Sequence, residues 1–297
     1  MKNVYVEITN VCNLSCSFCP GHRRSPRFMS PSDFAVIAGK LDGNAENLFL
    51  HLMGEPLLHP DLCEILKIAD EMTVKLKITT NGTLIGDALP LLCESKNLRT
   101  VCISLHSFEA NHKGALDEYL SSCFSAADEL AKRGKFVVFR LWNLDGDASK
   151  KAENDLNGMI LEKIREHYPP EREAWVKNHR GERVATHVFL EWGEKFDWPD
   201  VTDEPIFSDA DEGEYGTSFC HGLLTQAGVL ADGTVVPCCL DRDGEIALGN
   251  LLGDESFDEI MNSPRARAMK EAMAHHRFTE ALCRGCGFAV RFEKNKM

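Results

Sequence analysis

The sequence predicts an α/β fold, a partial (β/α)6 barrel followed by a small cysteine-rich domain. Three observations carry that expectation. The first two-thirds of the 297 residues alternate β-branched apolar runs with amphipathic helical segments, the pattern of βα units around a parallel sheet. A composition shift at residues 191–216 ends the alternation. Of twelve cysteines, three cluster near the start and five lie in the last 80 residues, with four scattered singly between.

Six strands are expected, at residues 4–9, 48–52, 74–79, 99–105, 136–142 and 184–191. Most are nearly continuous apolar runs, as in strands buried on both faces. After the first, Ser30-Pro31-Ser32-Asp33 reads as a capped helix start, with Phe34, Ile37, Ala38 and Leu41 following at helical spacing. Pro60 opens a second helix with Leu62, Ile65, Leu66 and Ala69 on one face. Further helices are expected over 116–132 and 155–167. Right-handed crossovers curl such a series into a partial barrel. Residues 191–216, with Pro199 and Pro205 and no period, read as a long connecting loop. The segments 224–230 and 234–238 flank Ala231-Asp232-Gly233 as a hairpin, a helix spans 256–275, and Cys283-Arg284-Gly285-Cys286 follows. The expected domains are 1–200 and 201–297.

The chain is 43% hydrophobic and 27% charged, enough to bury a core and too apolar for a disordered tail. Its formal charge of −13 argues against nucleic acid as a partner, since tracking phosphates calls for a basic surface. No stretch approaches the length of a membrane span. The first residues lack the apolar run of a signal peptide, so a cytoplasmic protein is expected. Cytosolic thiols stay reduced, and clustered ones there point to metal or redox chemistry.

Cys12, Cys16 and Cys19 fall in the loop directly after the first strand. Three thiolates in this spacing hold three irons of a cubic 4Fe–4S cluster and leave the fourth open to a ligand. Structural zinc, with His22 as a fourth ligand, is the alternative.

Cys-x3-Cys-x2-Cys after the first strand of a partial barrel, with Phe18 before the third cysteine, resembles the signature of the radical S-adenosylmethionine enzymes. The resemblance implies a TIM-like barrel and S-adenosylmethionine bound at the open iron. Met53-Gly54-Glu55-Pro56 is similar to the family's Gly-Gly-Glu-Pro, with Met53 replacing the first glycine. By that likeness Gly54, Glu55 and Pro56 meet the cofactor's amino group. Thr80 and Asn81 after the third strand, and Ser104 and His106 on the fourth, resemble the stretches that approach its ribose and carboxylate. The family's glycine-rich adenine motif is not recognisable in residues 135–144, although Arg140 is placed to reach the carboxylate. Taken singly, Glu55 is as readily a helix-opening carboxylate. The joint placement at strand C-terminal ends, where such barrels build sites, favours the functional reading.

Cys220, Cys238, Cys283 and Cys286 form a second set, for which a zinc ribbon is the alternative. Their spacing resembles the auxiliary SPASM or Twitch domains of radical enzymes, implying one further 4Fe–4S cluster. Cys238 fits that pattern better than Cys239. Cys63, Cys93, Cys102 and Cys123 read as buried structural thiols.

The resemblance implies an oxidoreductase that cleaves S-adenosylmethionine, abstracts hydrogen from a small molecule or peptide and oxidises it through the auxiliary cluster. The pattern is similar to the Twitch dehydrogenases of aminocyclitol alcohols and, less closely, to sulfatase-maturing and ribosomal-peptide-modifying members. A flavodoxin or ferredoxin-type electron donor is implied. No N-terminal peptide-binding domain is expected before Val4, which weakens the peptide reading without removing it, because such a domain can be a separate protein. A peptide maturase and a non-catalytic iron–sulfur carrier are the other readings; Gly54-Glu55-Pro56 argues against the carrier, which needs no amine-binding carboxylate. Glu191, Arg183 and His187, with Arg180 nearby, are candidate catalytic residues. The Trp192–Trp198 stretch either recognises substrate or packs on the auxiliary domain. The acidic run at 209–214 reads as solvated surface.

Overall fold

A computed structural model of the chain describes residues 1–111, 114–143, 156–178, 181–207 and 219–292. The barrel strands are β1 (Asn3–Val6), β2 (Asn47–Phe49), β3 (Lys75–Thr80), β4 (Leu98–Ser104) and β5 (Phe136–Asn143). Each pairs in parallel with the next, from Val4 opposite Leu48 to Cys102 opposite Val138, with one register shift against β4 between Leu76 and Lys77. The helices between them are α1 (Pro31–Leu41), α2 (Leu62–Asp70), α3 (Ile85–Glu94), α4 (Leu116–Lys132) and α5 (Leu156–His167). Ser30 caps α1 by accepting from the Asp33 amide, and Pro31 occupies its first turn, as the sequence predicts.

Strand parity positions the site. Val4, Val6, Leu48, Ile78, Ile103, Phe139 and Leu190 are fully or almost fully buried and meet the helices. Tyr5, Phe49, Arg140 and Glu191, at alternate positions, line a central cavity. The inner face is therefore polar and aromatic where the apolar runs imply strands buried on both faces, because successive side chains point to opposite sides of a sheet.

Four expectations are corrected by the structure. The single strand over 184–191 is two antiparallel strands, β7 (Gly181–Ala185) and β8 (Val188–Glu194), with the short β6 (Val176–Lys177) outside them. It is β8 that pairs in parallel with β5. His187 turns the chain between them at φ 63°. The helix over 256–275 is two helices, α6 (Phe257–Met261) and α7 (Pro264–Ala274). Ser263 caps the second and Pro264 starts it, so proline ends one helix and opens another. Helix α3 was not expected, since Gly86 and Pro90 interrupt its pattern. Cys102 and Cys123 are buried as expected, but Cys93 is half-buried and Cys63 is exposed.

The C-terminal strands β9 (Gln226–Val229), β10 (Thr234–Val236) and β11 (Gly249–Asn250) form the predicted hairpin and one added strand. They are hydrogen-bonded onto the barrel: β9 runs parallel to β1, giving one sheet of order β11-β10-β9-β1-β2-β3-β4-β5-β8-β7-β6 among the described residues. A short helix α8 (Ala281–Arg284) carries Cys283.

Candidate active site

The loop after β1 folds back on itself through its own polar residues. The Thr9 hydroxyl donates to the Arg27 carbonyl at 2.9 Å, and Asn10 takes the Arg27 amide at 2.7 Å while donating to the Ser25 carbonyl at 2.9 Å. Cys12, Cys16 and Cys19 stand on this closed loop, with Cys12 and Cys19 exposed. Two tethers fix it over the strand ends. Ser17 binds the Glu109 carboxylate through its amide at 2.6 Å and its hydroxyl at 2.9 Å. Asn13 bonds Asn81 and Thr83 at 2.8 Å each. Burial pushes the Cys16 thiol up to about 12, a proton that iron binding would displace.

The His22 ring bonds the Asn10 carbonyl at 2.9 Å. Among the described residues no three His, Cys, Asp or Glu side chains converge tightly enough for a single metal ion. A cubic cluster asks for a wider set, because each thiolate bonds a different iron. The loop's thiol donors fit that group, thiolates being its usual ligands.

Beneath the loop lies a cavity of about 730 Å³. Of the cofactor candidates, Phe18, Gly54, Glu55, Thr80, Asn81, Ser104, His106 and Arg140 all line it. Pro56 does not; it begins the 3-10 turn Pro56–Leu58 behind the wall. Gly54 sits at φ +74°, and a Cβ there would lie 2.4 Å from the Thr9 carbonyl oxygen. Glycine is thus required where the motif presses against the cysteine loop. The next amide, of Glu55, donates to the Val11 carbonyl at 2.8 Å.

Glu55 is 1% exposed. One carboxylate oxygen accepts from the Thr80 hydroxyl at 2.7 Å and the Leu57 amide at 3.0 Å, the other from the Asn81 amide at 2.7 Å. It caps the 3-10 turn and also tethers the end of β3, so the helix-opening role and the cavity position coexist. Burial pushes it up to about 7 against the downward pull of those three bonds. A carboxyl so placed gains most from a cation beside it.

The cavity also has an aromatic wall. His106 stacks on Trp142 at 5.1 Å between ring centroids, and Phe18 packs on both, at 4.8 and 5.3 Å. The wall continues through Phe196 to Phe288, at 5.8 and 5.1 Å. The Trp192–Trp198 stretch therefore both lines the cavity and packs on the C-terminal unit. Burial drives His106 down to about 4, and its Nδ1 meets the Arg140 carbonyl at 3.0 Å.

Also on the cavity lining, Arg140 on β5 and Glu191 on β8 are register partners, 3.9 Å apart. Arg183 and His187 are placed elsewhere: Arg183 pairs with Glu173 at 3.7 Å, and the His187 Nδ1 lies 3.3 Å from the Ala131 carbonyl. Arg180 and the 209–214 run lie outside the described residues. Sequence reasoning missed Tyr5, Phe49 and His51 as cavity residues, although their alternation with Val4, Val6, Leu48 and Leu50 was readable. Burial and the nearby Arg140 guanidinium bring His51 down to about 3.

In the C-terminal unit, the half-buried Cys238 lies within electrostatic reach of Cys220 and Cys283, and Cys283 within reach of Cys220 and Cys286. Burial raises Cys220 to about 11. Cys239 also feels Cys220 and Cys286, but it lines the main cavity beside the Tyr5 hydroxyl.

Two family models match the chain. The profile of the Radical SAM superfamily matches residues 6–159, and that of SPASM, an iron–sulfur cluster-binding domain, matches 220–287. Mycofactocin maturase MftC of Mycobacterium ulcerans is 26% identical over 313 residues, covering 95% of this chain and 79% of that protein. A probable GTP 3',8-cyclase of Methanocaldococcus jannaschii is 34% identical over 109 residues, 35% of this chain and 36% of that protein, so the chain spans about a third of that relative's length. Among solved structures, BtrN in complex with AdoMet and 2-DOIA shares the fold with a TM-score of 0.60 at 20% identity, covering 96% of this chain and 92% of that one. Streptococcus suis SuiB bound to precursor peptide SuiA does so with 0.58 at 19%, covering 97% and 70%. The first profile covers more than half of the chain and encloses the cysteine loop, the buried Glu55 and the ends of β1 to β5 at the cavity; the protein belongs to the radical SAM superfamily and carries a SPASM iron–sulfur domain after its barrel.

Proposed function

We propose that this radical SAM enzyme is an oxidoreductase that takes hydrogen from a small polar molecule or a peptide side chain and passes an electron to an iron–sulfur cluster in its C-terminal unit. The observation that carries the reading is a single cavity reached by the cysteine loop, Glu55 and Cys239 together. With a 4Fe–4S cluster, bound S-adenosylmethionine supplies a 5′-deoxyadenosyl radical able to attack an unactivated C–H bond; the protein binds, orients and excludes water.

Cys12, Cys16 and Cys19 hold the open-site cluster in this reading. Glu55, ionised, receives the cofactor's ammonium, while Gly54 lets the backbone approach and Pro56 fixes the turn behind it. Thr80 and Asn81 anchor that carboxylate and present Asn81 toward the loop. Ser104 and His106 offer polar contacts, and Phe18 and Trp142 give a flat apolar face to a purine. Arg140 neutralises a carboxylate. Glu191, next to Arg140, is the group placed to accept a proton from substrate. Cys220, Cys238, Cys283 and Cys286 hold the second 4Fe–4S cluster, with Cys239 left facing substrate. Residues 1–200 form the barrel unit and 201–297 the auxiliary unit. The enzyme works in the cytoplasm with a flavodoxin or ferredoxin-type donor.

A peptide maturase is the second reading, favoured by the likeness to MftC over 95% of this chain. Both readings require S-adenosylmethionine cleavage. Anaerobically reconstituted protein with dithionite should release 5′-deoxyadenosine; iron-loaded protein that releases none contradicts both and leaves the carrier reading.

A further inference from the structure

Glu7 follows β1 and is 0% exposed. A buried carboxylate is costly unless partners replace its water. Here they do. Arg24 grips both oxygens, at 2.7 and 2.6 Å. The remaining lone pairs take the Met53 amide at 3.1 Å and the Ala231 amide at 3.1 Å. One carboxylate thereby joins four segments: the end of β1, the return limb of the cysteine loop, the residue before Gly54, and the turn between β9 and β10.

The partners extend the link. The Arg24 Nε donates to the Arg242 carbonyl at 2.7 Å. Its neighbour Arg23 holds Asp243 through its amide at 2.6 Å and Glu245 through its guanidinium at 2.5 Å. Arg242 in turn bonds the Asp200 carboxylate at 2.7 Å. Neither Glu7 nor Arg24 lines the cavity, so whatever they contribute there passes through the segments they hold. Those segments are the ones that carry Cys12–Cys19 and Gly54-Glu55.

We propose that Glu7 and Arg24 are positioning residues for S-adenosylmethionine, holding the cysteine loop and Met53-Gly54-Glu55 in register and making that register depend on the C-terminal unit through Ala231 and Arg242. The proposal rests on the reading of Gly54 and Glu55 as cofactor contacts. A residue that acts by holding the binding wall affects substrate and transition state alike, so KM moves while kcat does not.

The test uses reconstituted, iron-loaded full-length protein with S-adenosylmethionine as the probe. Equilibrium dialysis gives Kd, 5′-deoxyadenosine release gives KM and kcat, and a thermal melt reports folding. Glu7→Gln is expected to raise Kd and KM together by about tenfold, with kcat at saturation within about twofold of the parent. Asp70→Asn is the control. It weakens a carboxylate that accepts from Ser95, Lys96 and Asn97 outside the cavity, and should lower the melt without moving Kd. Should Glu7→Gln fail to fold, Glu7→Leu/Arg24→Met removes both charges, an exchange that is often neutral for stability. It should fold and still show the raised Kd, because Met53 and Ala231 have lost their acceptor. A parental Kd in either folded variant overturns the proposal, provided Glu55→Gln measured alongside weakens binding. If Glu55→Gln also leaves Kd unchanged, it is the reading of Gly54-Glu55 that has failed.

Discussion

Gly54 and Glu55 are adjacent, yet one is fixed by backbone geometry and the other by electrostatics. Gly54→Ala would place a methyl 2.4 Å from the Thr9 carbonyl at a positive φ. It should cost on the order of 1–3 kcal/mol of stability, read as a lowered Tm, and loosen the loop that carries the cysteines. Glu55 makes a prediction in pH. Its folded value of about 7 exceeds its ordinary 4.5, so the stability gained from its protonated form is complete below about pH 4.5 and is lost as pH rises through about 7. The ammonium of S-adenosylmethionine reverses the preference. Cofactor affinity should therefore rise about tenfold between about pH 6 and pH 8, with a proton released on binding at the lower pH. Glu55→Gln should bind more weakly and flatten the profile while retaining its iron. An affinity independent of pH in the parent would show that Glu55 does not meet the cation.

At the scale of elements, what the sequence reveals is what is local. The cysteine triplet, Gly54-Glu55-Pro56 and Thr79-Thr80-Asn81 each sit at or after a β-branched run, and the structure places each at or beyond the end of a parallel strand, beside one cavity. The capped start of α1 needed only Ser30 and Pro31. The hairpin between β7 and β8 was hidden because a non-glycine residue, His187, takes the positive φ, where a turn signal is usually glycine or asparagine. Helix α3 was masked by Pro90, and the inward face of Tyr5, Phe49 and His51 depends on pairings far apart in sequence. The two neighbouring cysteines after β10 were ambiguous for the same reason, since only packing decides which way each points. Cys238→Ser should remove about half of the iron by losing a ligand of the C-terminal cluster, and Cys239→Ser should keep it all. Equal iron in the two variants would contradict that assignment.

Across the whole molecule, the expected division into two domains is crossed by hydrogen bonds: β9 extends the barrel sheet beside β1, and the Arg23, Arg24 and Arg242 contacts bind the cysteine loop to the C-terminal unit. Different chemistry is nevertheless expected of the two units. Cys283→Ala/Cys286→Ala, if its circular dichroism melt shows it folded, should still release 5′-deoxyadenosine with dithionite but form little oxidised product. Normal product from such a variant would leave the second cluster a structural one, because metal sites can contribute much of a small unit's stability. The central claim, an open iron–sulfur site at Cys12, Cys16 and Cys19 beside a second fully thiolate-ligated one, is tested most directly by iron content after anaerobic reconstitution. The parent should hold about eight irons, and Cys12→Ala/Cys16→Ala/Cys19→Ala about four, with 5′-deoxyadenosine release abolished; tightly bound zinc in place of iron, or a triple variant with undiminished iron, would contradict it.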